Sequence, residues 1–358
     1  MTAVLLSDLD QLVSALRSAG RRVIAPTVRD GAIVLSEVDS AAELPHGWGV
    51  EVEAGRYRLR RRNDEAAFAH SSGPQSWKTW LHPARERLWS ARRDGTEVTV
   101  TEDDPVEPMA FLGVRPCDLR AIAVLDRVLG ASTRYAQRRA AVFIVAVNCT
   151  EPGATCFCVS AGGGPAAESG YDIVLTELDD GRYLADAGSR AGTDVLAGLA
   201  STPAEPAVAE AARTAVDAAA TRMGRTLPEA DLRDLLGRAA ESPHWDDVAS
   251  RCLTCGNCTM VCPTCFCTTV EDTTDLTGAV AERWQRWDSC FDIGYSQLHS
   301  GPVRASGASR YRQWLTHKLG TWHDQFGESG CVGCGRCITW CPVGIDITAE
   351  LSELAMSP

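Results

Sequence analysis

Cysteine spacing carries the chemistry of this chain. Cys252, Cys255, Cys258 and Cys262 are followed by Pro263, and Cys331, Cys334, Cys337 and Cys341 by Pro342. The run Cys-x2-Cys-x2-Cys-x3-Cys-Pro therefore occurs twice. Three thiolates spaced this way wrap three corners of a [4Fe–4S] cubane and leave backbone amides to hydrogen-bond its sulfurs. The fourth lies beyond reach of its own cluster and, in two-cluster ferredoxins, ligates the other one. The crossed rule predicts one cluster on Cys252, Cys255, Cys258 and Cys341 and another on Cys331, Cys334, Cys337 and Cys262. Gly256, Gly333 and Gly335 let the backbone approach closely. Structural zinc also uses Cys-x2-Cys pairs. Two pairs satisfy a zinc ion, however, so the third cysteine and the Cys-Pro of each run would be left without a role.

A second constellation has no standard spacing. Cys117 precedes Cys149, Cys156 and Cys158, which lie in a Gly- and Pro-rich segment running on to Gly162-Gly-Gly-Pro165. Buried free thiols are one reading. Such a loop packs poorly by itself, and folding around a metal centre is the other reading. It lacks the strand-to-helix Gly-x-Gly-x-x-Gly context of a dinucleotide site. Cys265, Cys267 and Cys290 remain, and they read as thiols flanking the clusters or as alternative ligands if the crossed rule fails.

The elements that must hold these residues can be read in outline. Ser7 is a candidate N-cap for an amphipathic helix carrying Leu9, Leu12, Val13 and Leu16 on one face and ending near Gly20. Val23 to Leu59 alternates in short stretches that suggest strands and turns, before an aromatic turn at Gly73 to Pro83. Met109 to Val114 reads as a buried strand, Asp118 to Leu129 as a helix and Ala141 to Val147 as a second buried strand. That order implies a parallel pair with a crossover. Cys117 and Cys149 would then stand at neighbouring C-terminal strand ends, where open α/β sheets place their sites. Residues 171–190 suggest a strand pair turning near Asp180-Gly181, and the Ala-rich stretch 203–240 suggests broken helices. The expected fold is thus a mixed α/β (α+β) domain over 1–245 with a buried parallel strand pair, then a ferredoxin-like domain over 246–358. The latter carries a long insertion, Pro263 to Gly330, that needs structure of its own. Trp284, Trp287, Trp314 and Trp322 there suggest a small core packed on the clusters, and Arg310, Arg312, His317 and Lys318 form a basic group of open role.

Composition narrows the partners. The chain has 358 residues, 45% of them apolar, and a formal charge of −12, which disfavours a nucleic-acid surface. The apolar run Ala141 to Val147 is far shorter than the roughly 20 residues of a spanning helix. No basic residue precedes Asp8, so a secretory signal is not expected and a cytoplasmic protein without membrane contact is. Fifteen cysteines in such a chain point to metal or redox chemistry rather than disulfides.

Three segments together carry a family resemblance: Gly113-Val-Arg-Pro-Cys-Asp-Leu-Arg-Ala121, Asn148-Cys-Thr-Glu-Pro-Gly-Ala-Thr-Cys-Phe-Cys158 and Arg251 through Cys267. With Trp287-Asp-Ser-Cys-Phe291 and Arg310-Tyr-Arg-Gln313, they resemble the iron–sulfur beta subunits of cytosolic NAD(P)-linked [NiFe] hydrogenases, the sulfhydrogenases. The corresponding component of anaerobic sulfite reductase is a close relative of that family and the alternative reading. The resemblance implies a third [4Fe–4S] cluster on Cys117, Cys149, Cys156 and Cys158. It also implies electron relay between the [NiFe] hydrogenase small subunit, which pairs with the large one, and a flavin- and NAD(P)-binding subunit. No flavin or nicotinamide fingerprint and no nucleophile–base pair is evident, so no flavin and no catalytic residue is expected in this chain. A further alternative is a scaffold or binding module merely stabilised by iron–sulfur clusters.

Overall fold

The computed structural model describes residues 3–102 and 106–356. Its largest element is an eight-stranded sheet. From edge to edge the strands are Thr202–Pro203, Val4–Leu6, Tyr183–Ala187, Ile173–Glu177, Val142–Val147, Met109–Val114, Arg22–Arg29 and Ala32–Glu37. The four strands 173–177, 142–147, 109–114 and 22–29 run parallel, as the sequence predicts for 109–114 and 142–147. Alternation along these strands builds two cores. Ala110, Leu112, Phe143, Val145 and Val147 pack on the helix Asp10–Ser18, whereas Met109, Phe111, Val142, Ile144 and Ala146 pack on Leu119, Ile122 and Leu125 of the helix Pro116–Leu129. Burial on both faces explains the unbroken apolar run of 142–147.

Two local expectations change. The first helix begins after Leu9 rather than Ser7, with the Asp8 carboxylate accepting the Asp10 N–H at 3.0 Å. A short strand, Val4–Leu6, occupies the preceding residues. The crossover contains a second helix, Thr133–Ala141, which shortens the following strand to Val142–Val147.

A second, four-stranded sheet joins distant parts of the chain. Within the insertion, Thr268–Thr274 pairs with Val280–Trp287. The latter pairs with Arg85–Asp94, which pairs with Glu97–Glu102. This pairing revises the expectation for the tryptophans. Trp314 is buried in the third core and Trp322 is buried against Phe266 and Phe326, but Trp284 stacks under Arg85, and Trp287 donates from Nε1 to His82 O at 2.9 Å. Trp287 thus ties the insertion to the aromatic turn, and Trp284 ties it to the strand that follows that turn. The third core gathers Leu235, Leu236, Trp245, Val248, Leu315, Leu319 and Leu351 from the helices Leu232–Arg238 and His244–Arg251, the insertion and the C-terminal helix Ile347–Met356. Phe157, from the loop after strand 142–147, belongs to it too.

Candidate iron–sulfur centres

The first cysteine run follows the helix His244–Arg251, whose C-cap is Cys252. Thr254 and Gly256 then take left-handed backbone angles, φ 50° and 73°, and a one-turn helix, Asn257–Met260, carries Cys258. The left-handed turn folds the chain around a point, and the Thr254 N–H donates to Cys252 Sγ at 3.4 Å. A cavity results, lined by Cys252, Cys255 and Cys258 and walled by Phe291, Tyr311 and Trp314. Cys341, the last cysteine of the other run, lines the same cavity and accepts the Ile345 N–H at 3.3 Å.

The second run repeats this geometry. Gly333 and Gly335 have φ 67° and 74°, the one-turn helix Arg336–Thr339 carries Cys337, and the Gly333 N–H donates to Cys331 Sγ at 3.4 Å. Cys262 reaches across from the first run into the neighbourhood of Cys331, Cys334 and Cys337. Its sulfur lies 3.2 Å from Thr264 Oγ1 and 3.4 Å from the buried Lys318 Nζ. The fourth cysteine of each run thus stands with the first three of the other.

The remaining four cysteines converge from the parallel sheet. Cys117 lies in the first turn of helix 116–129, directly beyond strand 109–114, and Cys149 lies just beyond strand 142–147. With Cys156 and Cys158 they line a second cavity. Arg115 borders it, donating to Phe68 O at 2.8 Å, with its other nitrogen 3.8 Å from Cys149 Sγ. Cys334 lines this cavity as well, and Cys337 lines the first one, so the second run sits between the other two sites. The contact is backbone on backbone. Phe157 N–H donates to Gly333 O at 2.9 Å, and a Cβ on Gly333 would fall 2.5 Å from Cys158 Cα.

Burial, reinforced by neighbouring thiols, pushes Cys156 up to about 12 and Cys158 up to about 11. Burial likewise pushes Cys331 up to about 12, against the pull of Lys318. Free thiols here would stay protonated, whereas a bound metal holds the thiolate, so filling these sites releases protons. Among the described residues no three His, Cys, Asp or Glu side chains converge on a point that could hold one ion. Two groups of cysteines instead ring cavities, and Cys252, Cys331 and Cys341 receive backbone N–H donors, a donor set that suits a multi-iron cluster better than lone zinc.

Several residues beside these sites escaped the sequence reading. Arg336, between Cys334 and Cys337, forms a buried ion pair with Asp118, the neighbour of Cys117. Their only sequence signal was adjacency to cysteines. Lys318 groups with Arg310 and Arg312 in the sequence, but those two turn to backbone carbonyls of Phe291 and Ala240 while Lys318 points inward. Lys78 of the aromatic turn reaches Cys265 O at 2.9 Å. Of the leftover cysteines, Cys265 abuts Cys262, and Cys267 neighbours Tyr295 and Cys290. No helix among the described residues is long and apolar enough to cross a membrane.

Residues 251–345 match the family model of a 4Fe-4S dicluster domain. Sulfhydrogenase 2 subunit beta of Pyrococcus furiosus is 34% identical over 262 residues, which cover 71% of this chain and 76% of that protein. No solved structure gives a significant match. The extent of that similarity, together with the dicluster match over the two runs, shows that the chain belongs to the iron–sulfur beta-subunit family of the sulfhydrogenases.

Proposed function

We propose that the chain is an electron relay with three [4Fe–4S] clusters, passing electrons between the small subunit of a [NiFe] hydrogenase and a flavin- and NAD(P)-binding subunit. One observation supports the reading: two cysteine-lined cavities flank the second cysteine run, with Cys337 bordering the first and Cys334 bordering the N-terminal one. Bound clusters would supply one-electron redox chemistry. The protein's part is to hold them close, exclude water with walls such as Phe291 and Trp314, and donate backbone N–H groups to the sulfurs. In this reading residues 1–245 carry the N-terminal cluster and 246–358 the other two. The ligands are Cys252, Cys255, Cys258 and Cys341; Cys331, Cys334, Cys337 and Cys262; and Cys117, Cys149, Cys156 and Cys158.

Iron analysis of anaerobically purified protein tests it. About twelve irons per chain are expected for three four-iron clusters. About eight would remove the N-terminal cluster, and colourless protein with zinc would remove all three. Co-purification of a nickel-containing large subunit tests the assignment of partners, and siroheme in its place would point to a sulfite reductase.

A further inference from the structure

Residues His317–Thr321 form a π turn between the helices Gly307–Thr316 and Trp322–Phe326. Such turns rotate the side chains that follow and recur at functional positions. This one directs Lys318 into the protein, where it is 7% exposed. Its Nζ lies 2.9 Å from Thr264 Oγ1, 3.3 Å from Gly330 O and 3.4 Å from Cys262 Sγ, so each of its three N–H groups has a partner. None of those partners is a carboxylate, and Lys318 makes no ion pair with one among the described residues. A second amine, Lys78, is bonded to Cys265 O and lies 3.8 Å over the ring of Trp287. Burying an ammonium without an anion is costly. The anion nearest to hand is the thiolate sulfur of Cys262.

The other two sites differ. The first cavity has an aromatic and aliphatic wall; at the N-terminal site Arg115 comes no nearer than 3.8 Å to Cys149 Sγ; and Arg336, the other buried cation of the second run, is already neutralised by Asp118.

We propose that Lys318 raises the reduction potential of the centre that Cys262 shares with Cys331, Cys334 and Cys337, making this middle site the place where a relayed electron rests. The inference rests on the crossed ligand reading above. A hydrogen bond to a ligating sulfur and a fixed positive charge both favour the more negative, reduced state. No bond forms or breaks. One electron arrives from an adjoining centre, which is oxidised in giving it up while the middle centre is reduced, and Lys318 stays protonated throughout.

The test is an EPR-monitored redox titration of the anaerobically purified full chain with Lys318→Met and Lys318→Arg. The Met variant should shift one cluster signal to lower potential by at least a tenfold change in its oxidised-to-reduced ratio, about 59 mV for one electron. Iron content should be unchanged, and Arg should restore most of the shift. Unchanged midpoints with full iron overturn the proposal. So does loss of about four irons in the Met variant alone, because Lys318 would then be a structural support. Cys262→Ser examines the ligand reading separately: it should remove the same signal that Lys318→Met shifts, and loss of a different one would refute the ligand assignment itself.

Discussion

The buried ion pair between Arg336 and Asp118 joins the second cysteine run to the helix that carries Cys117, and Asp118→Asn is its sharpest probe. Both side chains are almost fully buried, at 3% and 4% exposure. Arg336 donates to Asp118 Oδ2 at 3.1 Å and to Gly73 O and Gln75 O at 3.3 and 3.1 Å. Its remaining nitrogen lies 3.0 Å from Oδ1 without hydrogen-bond alignment. The Asn variant keeps the shape but leaves a guanidinium buried without its counter-charge. Breaking one side of a buried pair costs about 3–5 kcal/mol. If the pair is already broken in the transition state for unfolding, that becomes roughly two to four orders of magnitude in rate. Anaerobic bleaching of the cluster absorbance in guanidinium is the assay, because irreversible loss makes stability a rate. The charge-free double variant Asp118→Leu with Arg336→Met should recover most of the loss, since desolvation offsets much of a buried pair's attraction. A single variant bleaching within tenfold of the parent would refute the reasoning, as water would then be compensating the charge.

Cys341→Ser should remove the cluster of the first run and spare that of the second, as followed by EPR; the opposite result would break the crossed assignment. Gly335→Ala would place a Cβ 2.4 Å from Thr155 O at φ 74°, so about 1–3 kcal/mol of stability and part of the N-terminal iron should be lost. Gly256→Ala carries similar backbone strain but meets the movable Ser289 Oγ at 2.9 Å, so it should be milder in thermal melts. Metal-free protein should lose stability with rising pH. Its unfolded thiols ionise near ~8.5, whereas burial holds Cys158 until about 11 and Cys331 until about 12. The stabilisation is therefore full below ~8.5 and declines through those folded values, and pH-dependent urea melts of the apo form would show a flat profile if the thiols were solvated.

Much of the site was legible because a cluster demands local spacing. Cys252 to Cys258 and Cys331 to Cys337 each fold through a left-handed backbone position and one helical turn, so their geometry is written in consecutive residues. The parallel pair 109–114 and 142–147 was legible for a similar reason, since burial on both faces leaves no polar positions in the strand. The first helix begins two residues late because the cap depends on where strand 4–6 ends, which antiparallel pairing with 183–187 decides. Trp284 and Trp287 find neighbours the sequence does not announce, because the partner of their strand, Arg85–Asp94, lies far away along the chain.

By itself, then, the sequence determined the spacing and type of the candidate ligands, the repeat of the ferredoxin-type run and the buried strands beneath Cys117 and Cys149. All of these follow from short-range spacing and side-chain chemistry. Only the tertiary structure decided that Cys334 borders the N-terminal site and Cys337 the first one, that Arg336 finds Asp118, and that Lys318 turns inward to Cys262. Those contacts join residues from distant segments, and burial makes them strong. No periodicity within either segment could announce which charge or sulfur the other would bring.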